Sequence, residues 1–118
     1  MMFCSPRRVR VFIALGATDM RKAINGLSLM VATQLDLDPL SGHLFAFCNR
    51  RRTLVKILYW ERNGFCLWEK RLEKDRFKWP GHPGEVKEIS IQELGLLLEG
   101  IDIGKIRPYR RLNYTAIN

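Results

Sequence analysis

The chain has 118 residues, enough for one domain with a modest core, and its hydrophobic (47%) and charged (27%) fractions are ordinary for a globular protein. A formal net charge of +8 is not ordinary, and it points to an anionic partner: nucleic acid first, then an acidic protein, then a membrane surface. No apolar run approaches the ~18 residues of a membrane-spanning helix, and no small-residue cleavage site follows the apolar stretch 9–15, so a cytoplasmic protein without membrane association is expected.

Residues 1–8 are a loose, basic start. Residues 9–15 alternate, with Val9, Val11, Ile13 and Leu15 on one face, and predict a strand ending at Gly16. Thr18 then offers an N-cap hydroxyl and Asp19 a negative charge for a helix N-terminus. Met20, Ile24, Leu27, Val31 and Leu35 recur at helical spacing, which predicts an amphipathic helix of about four turns. Asp38-Pro39 and Ser41-Gly42 mark a loop.

Residues 41–74 are the part around which the chain is organised. They read as three antiparallel strands, 44–49, 54–61 and 65–72. Asn63-Gly64 is the strongest local hairpin signal, because both loop positions need positive φ and these two residues tolerate it. With that pair as the loop, Trp60 faces Leu67, Lys56 faces Arg71 and Ile57 faces Lys70. Alternation then puts Leu54, Leu58, Trp60, Phe65 and Leu67 on one face, and Val55, Ile57, Tyr59, Cys66, Trp68 and Leu72 on the other.

Phe77, Lys78 and Trp79 could add a fourth strand before Pro80-Gly81-His82-Pro83-Gly84 breaks regular structure. Ser90-Ile91-Gln92-Glu93 has the form of a capping box and opens a helix over 91–99, which Gly100 stops. Residues 104–118 have no periodicity and read as a flexible basic tail carrying Lys105, Arg107, Arg110 and Arg111. The expected architecture is a single α+β domain over residues 1–103, followed by the tail: N-terminal strand, amphipathic helix, antiparallel sheet of three to four further strands, C-terminal helix.

The hairpin places charges as well as apolar faces. Arg50, Arg51 and Arg52 form the loop that enters the middle strand at the end where Lys56, Lys70, Arg71 and Lys74 lie, so these residues should gather at one sheet edge. Arginine presents a planar fork of donors suited to phosphate or to a guanine edge, and a hairpin can hold such a loop toward a groove. Arg21 and Lys22 are a second candidate, in the first turn of the expected helix, where free backbone N–H groups favour anions. The nucleic-acid-binding candidates are therefore Arg50, Arg51, Arg52, Lys56, Lys70, Arg71, Arg21 and Lys22. Among Trp60, Trp68 and Trp79, Trp79 is the best placed to stack on a base, although tryptophans on alternating apolar strands are more often core.

Chemistry-bearing motifs are otherwise sparse. Cys4, Cys48 and Cys66 include no C-x-x-C pair, give no disulfide framework, and fit a reducing compartment. With His43 and His82 they match no metal-ligand spacing, so neither metal nor cofactor is expected. There is no Ser/His/Asp or Cys/His set and no Gly-rich phosphate loop, and Asp19, Asp36, Asp38 and Asp102 read as caps and turns. The chain is thus expected not to be an enzyme. A small metal-dependent nuclease is the least favoured alternative, since such enzymes gather carboxylates around the ion.

Several stretches together resemble a known family. They are Thr18-Asp19-Met20-Arg21-Lys22 with Gly26-Leu27, Asp38-Pro39-Leu40-Ser41-Gly42-His43-Leu44-Phe45, Asn49-Arg50-Arg51 with Lys56 and Trp60, Gly64-Phe65-Cys66-Leu67, Lys70-Arg71-Leu72, Phe77-Lys78-Trp79-Pro80 and Leu97-Leu98-Glu99-Gly100-Ile101-Asp102. From about Val9 to Asp102 the chain resembles the Orf2-like (TnpB) accessory proteins of the sixty-sixth family of bacterial insertion sequences. The resemblance implies a small protein encoded beside a large transposase that carries the catalytic acidic residues. Its expected partners are the DNA of the element ends, the large transposase and the other small protein of the same element. It supplies no catalytic residue to carry over. Two roles follow: a DNA-binding accessory factor, or a subunit that docks on the transposase without touching DNA.

Overall fold

The computed structural model describes residues 8–105. Its elements run β1 (Val11–Ala14), α1 (Ile24–Thr33), β2 (Leu44–Cys48), β3 (Leu54–Glu61), β4 (Gly64–Arg71), β5 (Val86–Ile89) and α2 (Ile91–Leu98), closed by one 3-10 turn, Ile103–Lys105. This is an α+β fold on a five-stranded sheet of order β4-β3-β2-β1-β5. Most of the expected basic tail, from residue 106 on, lies outside the described residues.

The sheet is mixed rather than purely antiparallel. β1 and β2 run parallel, with Val11 beside Leu44 and Ile13 beside Ala46. Parallel neighbours need a crossover, and α1 supplies it. Helices or buried segments then cover both faces of these two strands, which explains their continuous apolar sequences, VFIA and LFAFC, every residue of which is buried. On one face Phe12, Ala14, Phe45, Phe47 and Leu58 pack against Leu27, Met30, Val31 and Leu35 of α1 and its end. On the other, Val11, Ile13, Leu44, Ala46, Val55 and Ile57 pack against Phe77, Trp79, and Leu94 and Leu97 of α2.

The hairpin β3–β4 turns one residue earlier than Asn63-Gly64. The loop is Arg62-Asn63, with Arg62 at φ 57° and the Asn63 N–H donating to the Glu61 carbonyl at 2.6 Å, and Gly64 already pairs with Glu61 in the sheet. Each partner moves by two residues, so the faces are kept while the pairs change: Trp60 lies opposite Phe65, Ile57 opposite Trp68, Lys56 opposite Glu69. The reason is visible in the pairs. The later loop would oppose Lys56 to Arg71; the observed one gives Lys56 a carboxylate neighbour and sets Trp60 edge-on to Phe65, with ring centroids 5.0 Å apart.

Two further elements differ from expectation. Phe77–Trp79 is not a strand but an irregular segment that buries Phe77 and Trp79 and leaves Lys78 exposed, and the fifth strand is β5, which pairs antiparallel with β1. Helix α1 begins at Ile24, capped by Ala23 without a side-chain bond, not at Thr18. Tertiary bonds override the capping signal. The Thr18 N–H donates to the Cys48 carbonyl at 2.8 Å, and the Lys56 ammonium holds the carbonyls of Met20 and Lys22, so residues 18–22 are tied to the end of the sheet. Helix α2 starts where its sequence says, with Ser90 and Glu93 forming both halves of the capping box. It stops at Gly100, whose φ of 87° suits glycine.

A candidate nucleic-acid interface at one end of the sheet

The register fixes which loops are neighbours. β1 and β2 end together, β3 starts beside the end of β2, β4 finishes beside the start of β3, and β5 starts beside the end of β1. The segments 15–23, 49–53 and 72–85 therefore all emerge at one end of the sheet. They carry Arg21, Lys22, Arg50, Arg51, Arg52, Lys74, Arg76 and Lys78, with Arg71 closing β4.

The arginine turn is a built structure. Asn49 accepts at Oδ1 from the Thr53 N–H (2.8 Å) and the Leu54 N–H (3.0 Å), and its Nδ2 donates to the Thr53 hydroxyl. The Arg52 N–H closes the turn on the Asn49 carbonyl, with Arg52 at φ 63°. Arg50, Arg51 and Arg52 project exposed from this frame. The Arg52 carbonyl accepts from the Phe77 N–H at 2.8 Å, which brings a second segment alongside. The two segments flank an open cavity of about 550 Å³ lined by Arg50, Arg51, Arg52, Arg76, Phe77 and Lys78. Five of its six lining residues are cationic and none is acidic.

The other candidates divide. Arg71 stands at the same end but is paired with Glu73 at 3.0 Å, both exposed. Arg21 is there too, and Asp19 holds its guanidinium through both carboxylate oxygens. Those side-chain bonds, then the Arg21 N–H, keep the Asp19 carboxyl far below the usual carboxylate range. Lys22 is half-buried outside α1, its stem against Gly26, so neither it nor Arg21 occupies a first helical turn.

Lys56 and Lys70 do not join the outward-facing set. Lys56 is 9% exposed, and its ammonium donates to the Met20 and Lys22 carbonyls at 2.9 and 3.1 Å. Lys70, on the opposite face, donates to the Leu98 carbonyl at the C-terminal turn of α2, a favourable place for a cation. Their positions along the strands agree with the expected gathering; their side chains turn inward because unmatched carbonyls lie within reach. Trp79 is likewise withdrawn from any stacking role: it is 3% exposed, and its indole N–H donates to the Ala14 carbonyl at 2.8 Å.

Arg76 and Lys78 were missed in the sequence. The signal was present as alternation: in Arg76-Phe77-Lys78-Trp79, burying the two aromatics turns the two cations outward. Among the described residues, no group of three or more His, Cys, Asp or Glu side chains is placed to hold a metal ion, and no helix is long and apolar enough to cross a membrane.

Fold and site together define a small α+β protein with uncompensated arginines concentrated at one end of a mixed sheet. The chain belongs to the IS66 Orf2-like family: the family model described as IS66 Orf2 like protein matches residues 9–108. That membership implies an accessory role in transposition, in a family of accessory proteins rather than known enzymes. Two proteins of Sinorhizobium fredii (strain NBRC 101917 / NGR234), both described as uncharacterized, are similar to it. One, y4hO, is 45% identical over 101 residues, covering 86% of this chain and 88% of that protein. The other, y4jC, is 31% identical over 112 residues, covering 93% and 96%. No solved structure matches the chain.

Proposed function

We propose that this protein is a non-enzymatic accessory factor of insertion-sequence transposition that binds the DNA of the element ends through the cationic end of its sheet. The observation that carries the reading is the cavity flanked by Arg50, Arg51, Arg52, Arg76 and Lys78 without a carboxylate. Five cations held close together repel one another, and a polyanion relieves that repulsion. Among the described residues the ion pairs are Arg10–Glu88, Arg21–Asp19 and Arg71–Glu73, and none involves these five. Phosphate contacts of this kind give affinity and orientation; sequence preference would come from an arginine fork reaching a base edge.

The test is a gel-shift series with purified protein, comparing terminal-repeat DNA with random DNA at low salt. Binding to both, tighter to the terminal repeat, is the expected result. Absence of any shift at low salt transfers the cationic end to a protein partner, the large transposase.

A further inference from the structure

The two edges of the sheet are finished differently. β5 is four residues long and carries exposed Lys87 and Glu88, and short charged edges resist further pairing. β4 is eight residues long, pairs with β3 without a bulge, and runs Gly-Phe-Cys-Leu-Trp before its first charge at Glu69. The ladder shows which of its backbone groups are free. The Leu72 N–H donates to the Thr53 carbonyl at 2.8 Å, and bonding alternates along an antiparallel pair, so Gly64, Cys66, Trp68 and Lys70 also turn toward β3. Phe65, Leu67, Glu69 and Arg71 therefore turn their N–H and C=O groups outward, where no described residue bonds to them. The side chains at this edge are half-buried on both faces, Phe65 and Leu67 beside the α1 layer, Cys66 and Trp68 beside the α2 layer.

We propose that a second copy of this chain pairs antiparallel with β4, joining two sheets into one, and that the dimer carries two DNA duplexes, one at each end of the joined sheet. A second copy is chosen because the sequence of the strand complements itself. With Leu67 opposite the partner's Leu67, Cys66 meets the partner's Trp68, Phe65 the partner's Glu69 and Gly64 the partner's Lys70. Apolar residues then cover apolar residues on both faces, and no like charges are opposed. Centring the pair on Trp68 instead sets Leu67 against the partner's Glu69 and Cys66 against the partner's Lys70. Centring it on Cys66 runs the ladder into the Arg62-Asn63 turn and loses bonds. β4 ends at the cationic end of its sheet and the partner strand runs the other way, so the two arginine turns stand at opposite ends of the joined sheet. Each takes one duplex, which brings two element ends onto one particle. This last step rests on the DNA-binding reading; the strand pairing does not.

Sedimentation equilibrium of the native protein at micromolar concentrations tests the pairing without DNA, since an interface of one strand pair and its flanking side chains is small and of micromolar affinity. The native protein should be a dimer in reversible exchange with monomer. Glu69→Pro should be monomeric: it removes an N–H that only the partner uses, and an edge strand tolerates proline there. Leu67→Lys and Leu67→Glu should each be monomeric, because like charges meet across the two-fold axis, and their mixture should dimerise. Circular dichroism checks that each variant is folded; Glu69→Pro changes an exposed residue and decides the matter if the Leu67 variants do not fold. A native monomer overturns the inference, as does a dimer that survives in any folded variant. If a native monomer captures the large transposase and Glu69→Pro does not, the edge belongs to that protein. Bridging is read with a bead-bound terminal-repeat duplex, which should capture a second, labelled duplex with native protein and not with Glu69→Pro, although that variant still binds a single duplex. Equal capture by the two overturns bridging through the strand pair. If no duplex binds at low salt, the DNA reading falls, and the dimer stands or falls by sedimentation alone.

Discussion

The Phe77 N–H donates to the Arg52 carbonyl at 2.8 Å, so the segment bearing Arg76 and Lys78 is pinned to the turn bearing Arg50 and Arg51, about 25 residues away in sequence. Phe77 itself is buried to 1% exposure in the core beneath the sheet. Core packing thus sets the spacing of the cations, and the cationic cavity is a consequence of how the 72–79 segment covers one face of the sheet.

This coupling predicts a DNA-binding contribution from two residues outside the hairpin. Replacing Arg76 and Lys78 together by Ala should reduce the log–log salt slope of duplex binding by about two units, at ~0.9 per phosphate contact. Both side chains are exposed, so thermal melting should change little. Titrations of terminal-repeat duplex at several salt concentrations measure the slope. An unchanged slope would remove these residues from the interface.

Lys56 is expected to behave in the opposite way. Its ammonium satisfies two backbone carbonyls of the 18–22 segment and faces away from solvent. Lys56→Met removes the donor and leaves those acceptors unmatched, at a cost of about 1–3 kcal/mol. Urea denaturation should show the lowered midpoint, while the salt slope of DNA binding stays that of the native protein. A fall in slope without a fall in stability would return Lys56 to the interface.

How much of this was legible in the sequence follows from which forces were local. The period-2 alternation of β3 and β4 and the Ser90–Glu93 capping box are signals between near neighbours, and the corresponding faces and helix start appear as read. The hairpin loop slipped by one residue because cross-strand pairs outweighed the turn preference of Asn63-Gly64. The misplaced start of α1 has a non-local cause: nothing near Thr18 reveals that Cys48 and Lys56 will hold residues 18–22. The same holds for the site. The arginine triplet is visible in sequence, but the inward turn of Lys56 and Lys70 depends on carbonyls of Met20, Lys22 and Leu98, 28 to 36 residues distant.

Cys48 offers a pH test of the packing beneath the arginine turn. It ends β2 fully buried, and burial pushes its thiol up from an ordinary 9.0 to about 12, against a smaller opposing pull from the nearby Arg52 charge. In the unfolded chain the thiol ionises in its ordinary range, so above about pH 9 the unfolded state binds fewer protons than the folded one. Stability should therefore fall as pH rises from about 9 toward 12, and Cys48 should contribute no such slope below that window. Urea midpoints of native protein and of Cys48→Ala, compared between pH 8 and pH 10.5, isolate the contribution, because the two proteins differ only at that side chain. A shallower decline in the variant is expected, and parallel declines would contradict it.

The arginine turn itself carries the strongest prediction. If Arg50, Arg51, Arg52, Arg76 and Lys78 each meet a phosphate, the salt slope on duplex DNA should be about −4 to −5, and affinity should fall by several hundred-fold between ~50 and ~200 mM salt. Changing Arg50, Arg51 and Arg52 to Ala should flatten the slope by roughly two to three units. The fold should survive, because the turn is held by Asn49 and by backbone bonds rather than by the guanidinium groups. Circular dichroism and thermal melting check that point before any titration. If one of the three also reads a guanine edge, its loss should cost about 1–3 kcal/mol of discrimination between terminal-repeat and random DNA, separable by restoring the arginines one at a time. A folded triple variant that binds terminal-repeat DNA with native affinity and native slope would place the DNA contact elsewhere. Pull-down of the large transposase by native protein but not by the variant would then assign the arginine turn to that partner.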